Sequence, residues 1–410
     1  MLKKFSEKYF CGLDIGSQSV KAGVIKAKAG QSSELLGIYE TKTAGFKRAS
    51  VTDLGELSEC IQTVLSELSK RTSVKIKEIQ VGIGGELIEH GYSTAIIPLS
   101  DRGNKVITRQ DIKEVQDQAR LLGVNIEEMI LHDFPQYYKV DDVNSALNPL
   151  GLYGRKLEIK TLLISVTNIF TKNIIKAVNQ AGYDLGQIFF TAVAAAQASL
   201  GEFHLRQGCV LGDVGSYVTD LLIFKDGYLK HLDRIPIGGE HFTQQIAQDL
   251  VLPFDLADDL KKSYAFAMHS EVDDQEEILI KREDRYLPIK KHVICQSIEP
   301  IVTKFIESIF NILKTSNFHE QMNAGILLVG GGALLPGLPE RIEQSTHLNV
   351  KMGKIDLLAP KLHHVAKYAS CIGLGQLAFN KTMSPALSNP SGGFARRWVN
   401  RVKDLYQEYF

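Results

Sequence analysis

Two apolar runs, residues 10–15 and 20–25, stand on either side of the short polar turn Gly16-Ser17-Gln18-Ser19. That pattern predicts a β-hairpin whose turn offers small residues and backbone N–H groups. The same pattern returns about 200 residues on, as 209–214 and 218–224 about Gly215-Ser216-Tyr217, and predicts a second hairpin of the same build. Between and beyond them the apolar spacing changes to helical. Leu54, Leu57, Ile61, Val64 and Leu68 mark one face of a helix over 53–71, and 35–39 and 79–83 read as strands around it. Thr108, three residues before Asp111, caps a helix running to about 122. Helices are further predicted over 168–182, 191–203, 242–250, 298–316 and 364–379, short strands over 278–288, and an acidic loop over 270–277.

Candidate chemistry gathers in three places. Each hairpin carries an acid before its turn, Asp14 and Asp213, and the first adds Lys21 in its second strand. If the hairpins face each other, Gly16, Ser17, Gln18, Ser19, Gly215, Ser216 and Thr219 are placed to grip phosphates, with Asp14 and Asp213 holding a magnesium ion through water. A third segment, a buried strand ending in Gly330-Gly331-Gly332-Ala333, lets backbone approach a flat ligand and starts a helix, whose N-terminus adds positive potential.

Composition narrows the partners. Lys+Arg and Asp+Glu both number 47 in the 410 residues, so no overall field draws the chain to nucleic acid. The five cysteines are far apart and read as buried thiols in a reducing compartment. No apolar run reaches the roughly 18 residues of a spanning helix, so any membrane attachment is expected to be peripheral.

Taken together, the three segments resemble the two phosphate loops and the adenosine loop of the actin, sugar-kinase and chaperone ATPase superfamily. That resemblance implies an α/β, actin-like ATPase fold: two duplicated halves around a nucleotide cleft that takes ATP and Mg2+, with at most weak turnover. Residues 129–141 and 148–159, with Pro135-Gln136-Tyr137, Val140-Asp141, Asn148-Pro149-x-Gly151-x-x-Gly154 and Leu157-Glu158, are similar to the subdomain that bacterial cell-division proteins of the FtsA family carry. Gly238-Gly239-Glu240 resembles the family's Gly-Gly-Asp, and Ala257-Asp258-x-x-Lys261 its Ala-Glu-x-x-Lys, whose acid and lysine face ribose and adenine. By the same resemblance Gln197 occupies the place of a water-orienting glutamine, although the bare residue equally reads as a polar group filling a helix crossing. A catalytic reading of His132 and Asp133 is declined, a lone histidine at a strand end being a structural feature in most proteins.

The implied organisation is 8–84 and 164–200 as the first domain around an inserted subdomain at 85–163. A second domain then spans 201–362, its smaller part at about 235–300, and a closing helix covers 363–380. The implied partners are FtsZ, copies of the chain itself, later division proteins and anionic lipids of the inner membrane, at the cytoplasmic face of the division site. The FtsZ peptide is expected near Lys281, Arg282, Arg285, Lys290 and Lys291. Two alternatives share parts of the pattern: a pilus-assembly ATPase related to FtsA and a sugar-kinase-like phosphotransferase. One departure stands out, Ser216-Tyr217-Val218 where the family has Gly-Gly-Thr. Tyrosine resists the positive φ that glycine allows, and its ring is expected to compete with phosphate oxygens for space.

The end of the chain is read separately. Residues 381–393 have linker composition, and 394–410 divide cleanly on a helical wheel. Phe394, Trp398, Val402, Leu405, Tyr409 and Phe410 share the apolar half, while Arg397 and Arg401 lie on the polar half, the arrangement of a helix lying in an anionic membrane interface.

Overall fold

The computed structural model describes residues 7–27, 33–100, 103–268, 273, 275–282, 285–355 and 364–383. The amphipathic segment 394–410, most of the linker and half of the acidic loop lie outside the described residues.

The first lobe opens with the meander β1 (Lys8–Ile15), β2 (Ser19–Ala27) and β3 (Glu34–Lys42), followed by the two-residue strands β4 (Phe46–Lys47) and β5 (Ser50–Val51). Helix α1 (Leu54–Thr72) and strand β6 (Glu78–Ile83) follow. Asp53 caps α1 by accepting from the Glu56 amide, and the helix buries Leu57, Ile61, Val64, Leu65 and Leu68. Each such burial contributes about 1.5–3 kcal/mol. The inserted subdomain comprises β7 (Ile88–Pro98), β8 (Lys105–Val106), α2 (Arg109–Gly123), β9 (Glu128–Val140), β10 (Val143–Ala146), β11 (Tyr153–Gly154) and β12 (Lys156–Thr167). Its sheet runs β10-β9-β12-β7, and α2, capped reciprocally by Thr108 and Asp111, packs on β7 and β12. The chain returns through α3 (Asn168–Gln180), β13 (Asp184–Phe190) and α4 (Thr191–Ser199).

The second lobe repeats the first. After α5 (Glu202–Gln207) come β14 (Cys209–Val214), β15 (Thr219–Lys225) and β16 (Tyr228–Ile235), then α6 (Gly239–Asp249), α7 (Phe254–Tyr264), β17 (Glu277–Arg282) and β18 (Arg285–Lys290). The lobe finishes with α8 (Lys291–Thr315), β19 (Ile326–Val329), α9 (Leu338–Thr346) and β20 (Val350–Met352), and α10 (Ala369–Met383) returns to the first lobe. The sheets run β13-β6-β1-β2-β3 and β20-β19-β14-β15-β16. In each, an antiparallel meander is flanked on its first strand by a parallel one, so the expected duplication is present strand for strand.

Helices α4 and α10 cross between the lobes. A Cβ on Gly373 would overlap the Ala194 carbonyl, so only glycine permits the contact. The helix expected over 191–203 is two helices. The chain is extended at Leu200, and the Gly201 amide donates to His204 Nδ1 to start α5. Helix α8 begins at Lys291, seven residues before the expected start, and runs through Pro300; α10 continues to Met383, into the expected linker. His132 is a core residue: its Nε2 accepts from the Phe190 amide at 3.0 Å, and burial pushes it down to about 3, so it stays neutral.

Candidate functional site

Each hairpin closes the same way. In the first, Asp14 pairs with Lys21 and Ile15 with Val20, and the Gly16 amide donates to the Ser19 carbonyl at 3.2 Å. In the second, Asp213 pairs with Asp220 and Val214 with Thr219, and the Gly215 amide donates to the Val218 carbonyl at 2.9 Å. Both turns line one cleft of about 1000 Å³ between the lobes, at the upper end of what small-molecule sites enclose. Asp14, Gly16, Ser17, Gln18, Ser19 and Lys21 line it from one side. Asp213, Gly215, Ser216, Gly239, Glu240, Asp258, Lys261 and Gly330 to Gly332 line it from the other.

Four predicted site residues stand behind that lining. Thr219 is fully buried and donates to the Ile237 carbonyl at 2.8 Å. Gly238 packs so closely that a Cβ would fall 2.5–2.7 Å from the Gly215 and Ser216 backbone. The next two amides, Gly239 and Glu240, donate to the Gly215 and Ser216 carbonyls at 2.9 and 2.8 Å, stapling the second turn to the start of α6. Ala333 is core. Gln197 is buried on α4, outside the cleft lining, and its Oε1 has no partner among the described residues.

Charge is concentrated around the two acids. Lys21 Nζ lies 3.5 Å from Asp14 Oδ2, and Ser370, at the start of α10, donates to the same oxygen. Burial alone would lower the Lys21 pKa, but the carboxylates of Asp14, Asp213 and Glu40 outweigh it and hold the ammonium charged. Asp213 is pushed up to about 7 by burial, then by Asp220 and Asp14, with Lys21 opposing. Two neighbouring carboxylates lining a cleft, beside turns rich in N–H donors, suit a divalent cation shared with phosphate oxygens. Among the described residues no three or more His, Cys, Asp or Glu side chains converge to ligate a metal directly.

Deeper in the second lobe, Lys261 Nζ bonds Asp258 Oδ1 (2.7 Å), Thr243 Oγ1 (2.6 Å) and the Gly239 carbonyl (3.0 Å). The network fixes the start of α6. Burial lowers the Lys261 pKa, while the two neighbouring lysines outweigh burial at Asp258 and hold its carboxyl below the usual range.

Tyr217 lines the same cleft. Neither Ser216 nor Tyr217 has positive φ. The tyrosine is 8% exposed, edge-on to His241 at 6.3 Å, with the Arg48 guanidinium carbon 4.9 Å from its ring centre. Arg48, Ser370, Glu40, Lys367 and the Asp220–Arg234 pair were not found from sequence. Of these only Asp220 had a signal, as the second-strand acid of a duplicated hairpin.

Two lobes of repeated topology, each presenting an acid-bearing hairpin to one cleft, define an actin-like ATPase fold. The match to the PilM–PilN type IV pilus biogenesis complex agrees, with a TM-score of 0.64 at 14% identity over 90% of this chain and 97% of that one. So does MreB5 of Spiroplasma citri bound to ADP, at 0.53 and 14% over 92% and 97%. A family model described as "Cell division protein FtsA" matches residues 210–373, and one described as "SHS2 domain inserted in FTSA" matches 85–165; together they cover more than half the chain. The Cell division protein FtsA of Buchnera aphidicola subsp. Baizongia pistaciae is 28% identical over the full length of both chains. The chain belongs to the FtsA family of cell-division proteins.

Proposed function

We propose that this chain binds ATP with Mg2+ in the interlobe cleft, assembles with copies of itself, and tethers FtsZ to the cytoplasmic face of the membrane at the division site, where later division proteins join it. The supporting observation is the pair of hairpins with matching turn hydrogen bonds and facing acids, Asp14 and Asp213, around a single cleft. Gly16 to Ser19 and Gly215 to Ser216 would meet the phosphates, Asp258 and Lys261 the ribose side, and Gly330 to Gly332 the adenine. Magnesium, held through water by Asp14 and Asp213, would neutralise the phosphate charge. Lys21 keeps Asp14 oriented and adds its own cation. Nucleotide would act by favouring the closed, assembling conformation, as a population shift.

The first domain would comprise 8–84, 164–200 and 363–380 around the insertion at 85–163, and the second 201–362. The proposed FtsZ contact lies on its smaller part, about 235–300. There Lys290 is exposed and Lys291 pairs with Glu276 at 2.9 Å, while the side chains of Lys281, Arg282 and Arg285 lie outside the described residues. No helix among the described residues is long and apolar enough to cross a membrane, so attachment is assigned to 394–410. The FtsA placement of both family models favours division over the pilus and sugar-kinase readings. Calorimetric titration with ATP and magnesium tests the core of this reading. Saturable heat with a raised melting temperature is expected; no heat and no thermal shift would overturn it.

A further inference from the structure

The hairpin β4–β5 pairs Phe46 with Val51 and Lys47 with Ser50, leaving Arg48 and Ala49 as its two-residue turn. Both have positive φ, 47° and 56°. Turns of that kind favour Asn and Gly, and arginine and alanine in them are strained. Such strain persists where surrounding packing over-determines it, and it clusters at ligand clamps. The packing is visible: Phe46 is buried with its ring 6.2 Å from Phe170, and the Gly85 backbone presses on the buried Ala49 so tightly that a Cβ at Gly85 would lie 2.8 Å from the Ala49 Cβ.

The turn so fixed carries Arg48 to both phosphate-facing turns at once. Its amide donates to Ser17 Oγ at 3.1 Å in the first, and its guanidinium lies over the Tyr217 ring in the second. A second observation is independent of the strain. The lysines lining the cleft all have carboxylate partners: Lys21 with Asp14, Lys42 with Asp255, Lys261 and Lys262 with Asp258, and Lys367 with Glu40. Arg48, the arginine in that lining, forms no ion pair among the described residues and rests on an aromatic face instead.

From this juxtaposition we propose that Arg48 reads the terminal phosphate of a nucleoside triphosphate, and that Tyr217 is the platform that holds its guanidinium ready. The proposal rests on the nucleotide reading of the cleft. A guanidinium presents a planar fork that meets two phosphate oxygens at once, and stacking on a ring fixes the plane of that fork before the ligand arrives. The site between the two turn tips is where the outermost phosphate lies if the hairpins grip the chain of phosphates, so the contact distinguishes triphosphate from diphosphate. Tyr217, where the family has glycine, thus brings to the second turn a side-chain donor from the opposite lobe.

Affinities of the full chain for ATP and for ADP, each with magnesium, decide the matter by calorimetry on the parent and on Arg48→Ala, Arg48→Gly, Arg48→Lys and Tyr217→Leu. Arg48→Ala and Arg48→Gly are expected to weaken ATP roughly tenfold to a hundredfold and ADP by less than about threefold. Arg48→Lys restores part of the loss, since it keeps charge without the fork. Tyr217→Leu lowers the preference for ATP severalfold, and combining it with Arg48→Ala adds nothing further. The glycine variant relaxes the turn, so an unchanged or higher melting temperature excludes misfolding as the cause. Equal loss of both nucleotides, or no loss of either, overturns the role of Arg48 while leaving the cleft a nucleotide site. A folded parent that binds neither nucleotide overturns both.

Discussion

Ser370, at the start of the helix that returns to the first lobe, donates its hydroxyl hydrogen to Asp14, 356 residues earlier in the chain. Asp14 is 6% exposed, so this bond and the 3.5 Å approach of Lys21 fix the direction of its carboxylate. Hydrogen bonds to charged groups contribute about 1.5–3 kcal/mol. Ser370→Ala is expected to cost about that much in urea denaturation and to weaken magnesium-dependent ATP binding severalfold. Ser370→Thr keeps the donor and is expected to recover most of both.

Asp213 supplies the pH dependence. Its carboxyl is pushed from the ordinary 3.8 up to about 7 by burial, then by Asp220 and Asp14. A raised acid binds more protons in the folded than in the unfolded chain between those values, so this group makes the nucleotide-free protein lose stability as pH rises from about 4 to 7. Asp213→Asn removes the penalty and is expected to gain about 1–2 kcal/mol at pH 8 while losing magnesium-dependent ATP binding. Ligand binding that needs the ionised form must release a proton near pH 6.5. Calorimetry in buffers of different ionisation heat measures that release, and the Asn variant should not show it.

These two acids were legible because a hairpin writes itself into sequence locally: apolar runs of period two, a small-residue turn, and a repeat of the whole pattern. Helix α1 was legible from its helical apolar spacing, and the inserted subdomain from its likeness to the FtsA-family segment and not from any strand pattern. Arg48 was not, because its turn lacks the Gly or Asn that normally announces paired positive φ, and the strain is stabilised by Phe46 and Ala49 packing on segments distant in sequence. Ser370 and Arg234 were invisible because their partners are set by lobe topology, which no local spacing encodes.

Gly238 tests whether the staple between the second turn and α6 matters. Its φ of −152° is open to any residue, so the constraint is contact alone: a methyl group would meet two backbone carbonyls that cannot yield without breaking the Gly239 and Glu240 hydrogen bonds. Gly238→Ala is expected to destabilise by about 1–3 kcal/mol and to reduce ATP affinity at least tenfold, read by thermal melting and titration.

The C-terminal segment makes a prediction from sequence alone. If Trp398 and its apolar neighbours enter the lipid interface with Arg397 and Arg401 at its border, truncation after Gly393 or Trp398→Glu abolishes sedimentation with vesicles containing about one-third anionic lipid. Nucleotide titration of the same variants should be unchanged. Retained sedimentation of the truncated chain would place the anchor elsewhere.

Arg234 joins three parts of the molecule. Its Nε donates to Asp220 Oδ1 at 2.7 Å, beside the cleft, and its Nη1 donates to the Ile88 carbonyl at 2.8 Å, where the inserted subdomain begins. Tyr92 and Gln136 reinforce that seam by donating to the Lys230 and Leu229 carbonyls at 2.7 and 2.9 Å. Asp220 is 4% exposed, and burial raises its pKa against the pull of Arg234. Removing the guanidinium strands a buried carboxylate, so Arg234→Ala is expected to cost about 3–5 kcal/mol. Most of that loss comes from the stranded charge, so pairing Arg234→Ala with Asp220→Asn should recover about half. A double-mutant cycle in urea gives the coupling directly. A single-variant cost below about 1 kcal/mol would mean that water takes the place of the arginine and that the seam is held by Tyr92 and Gln136 alone.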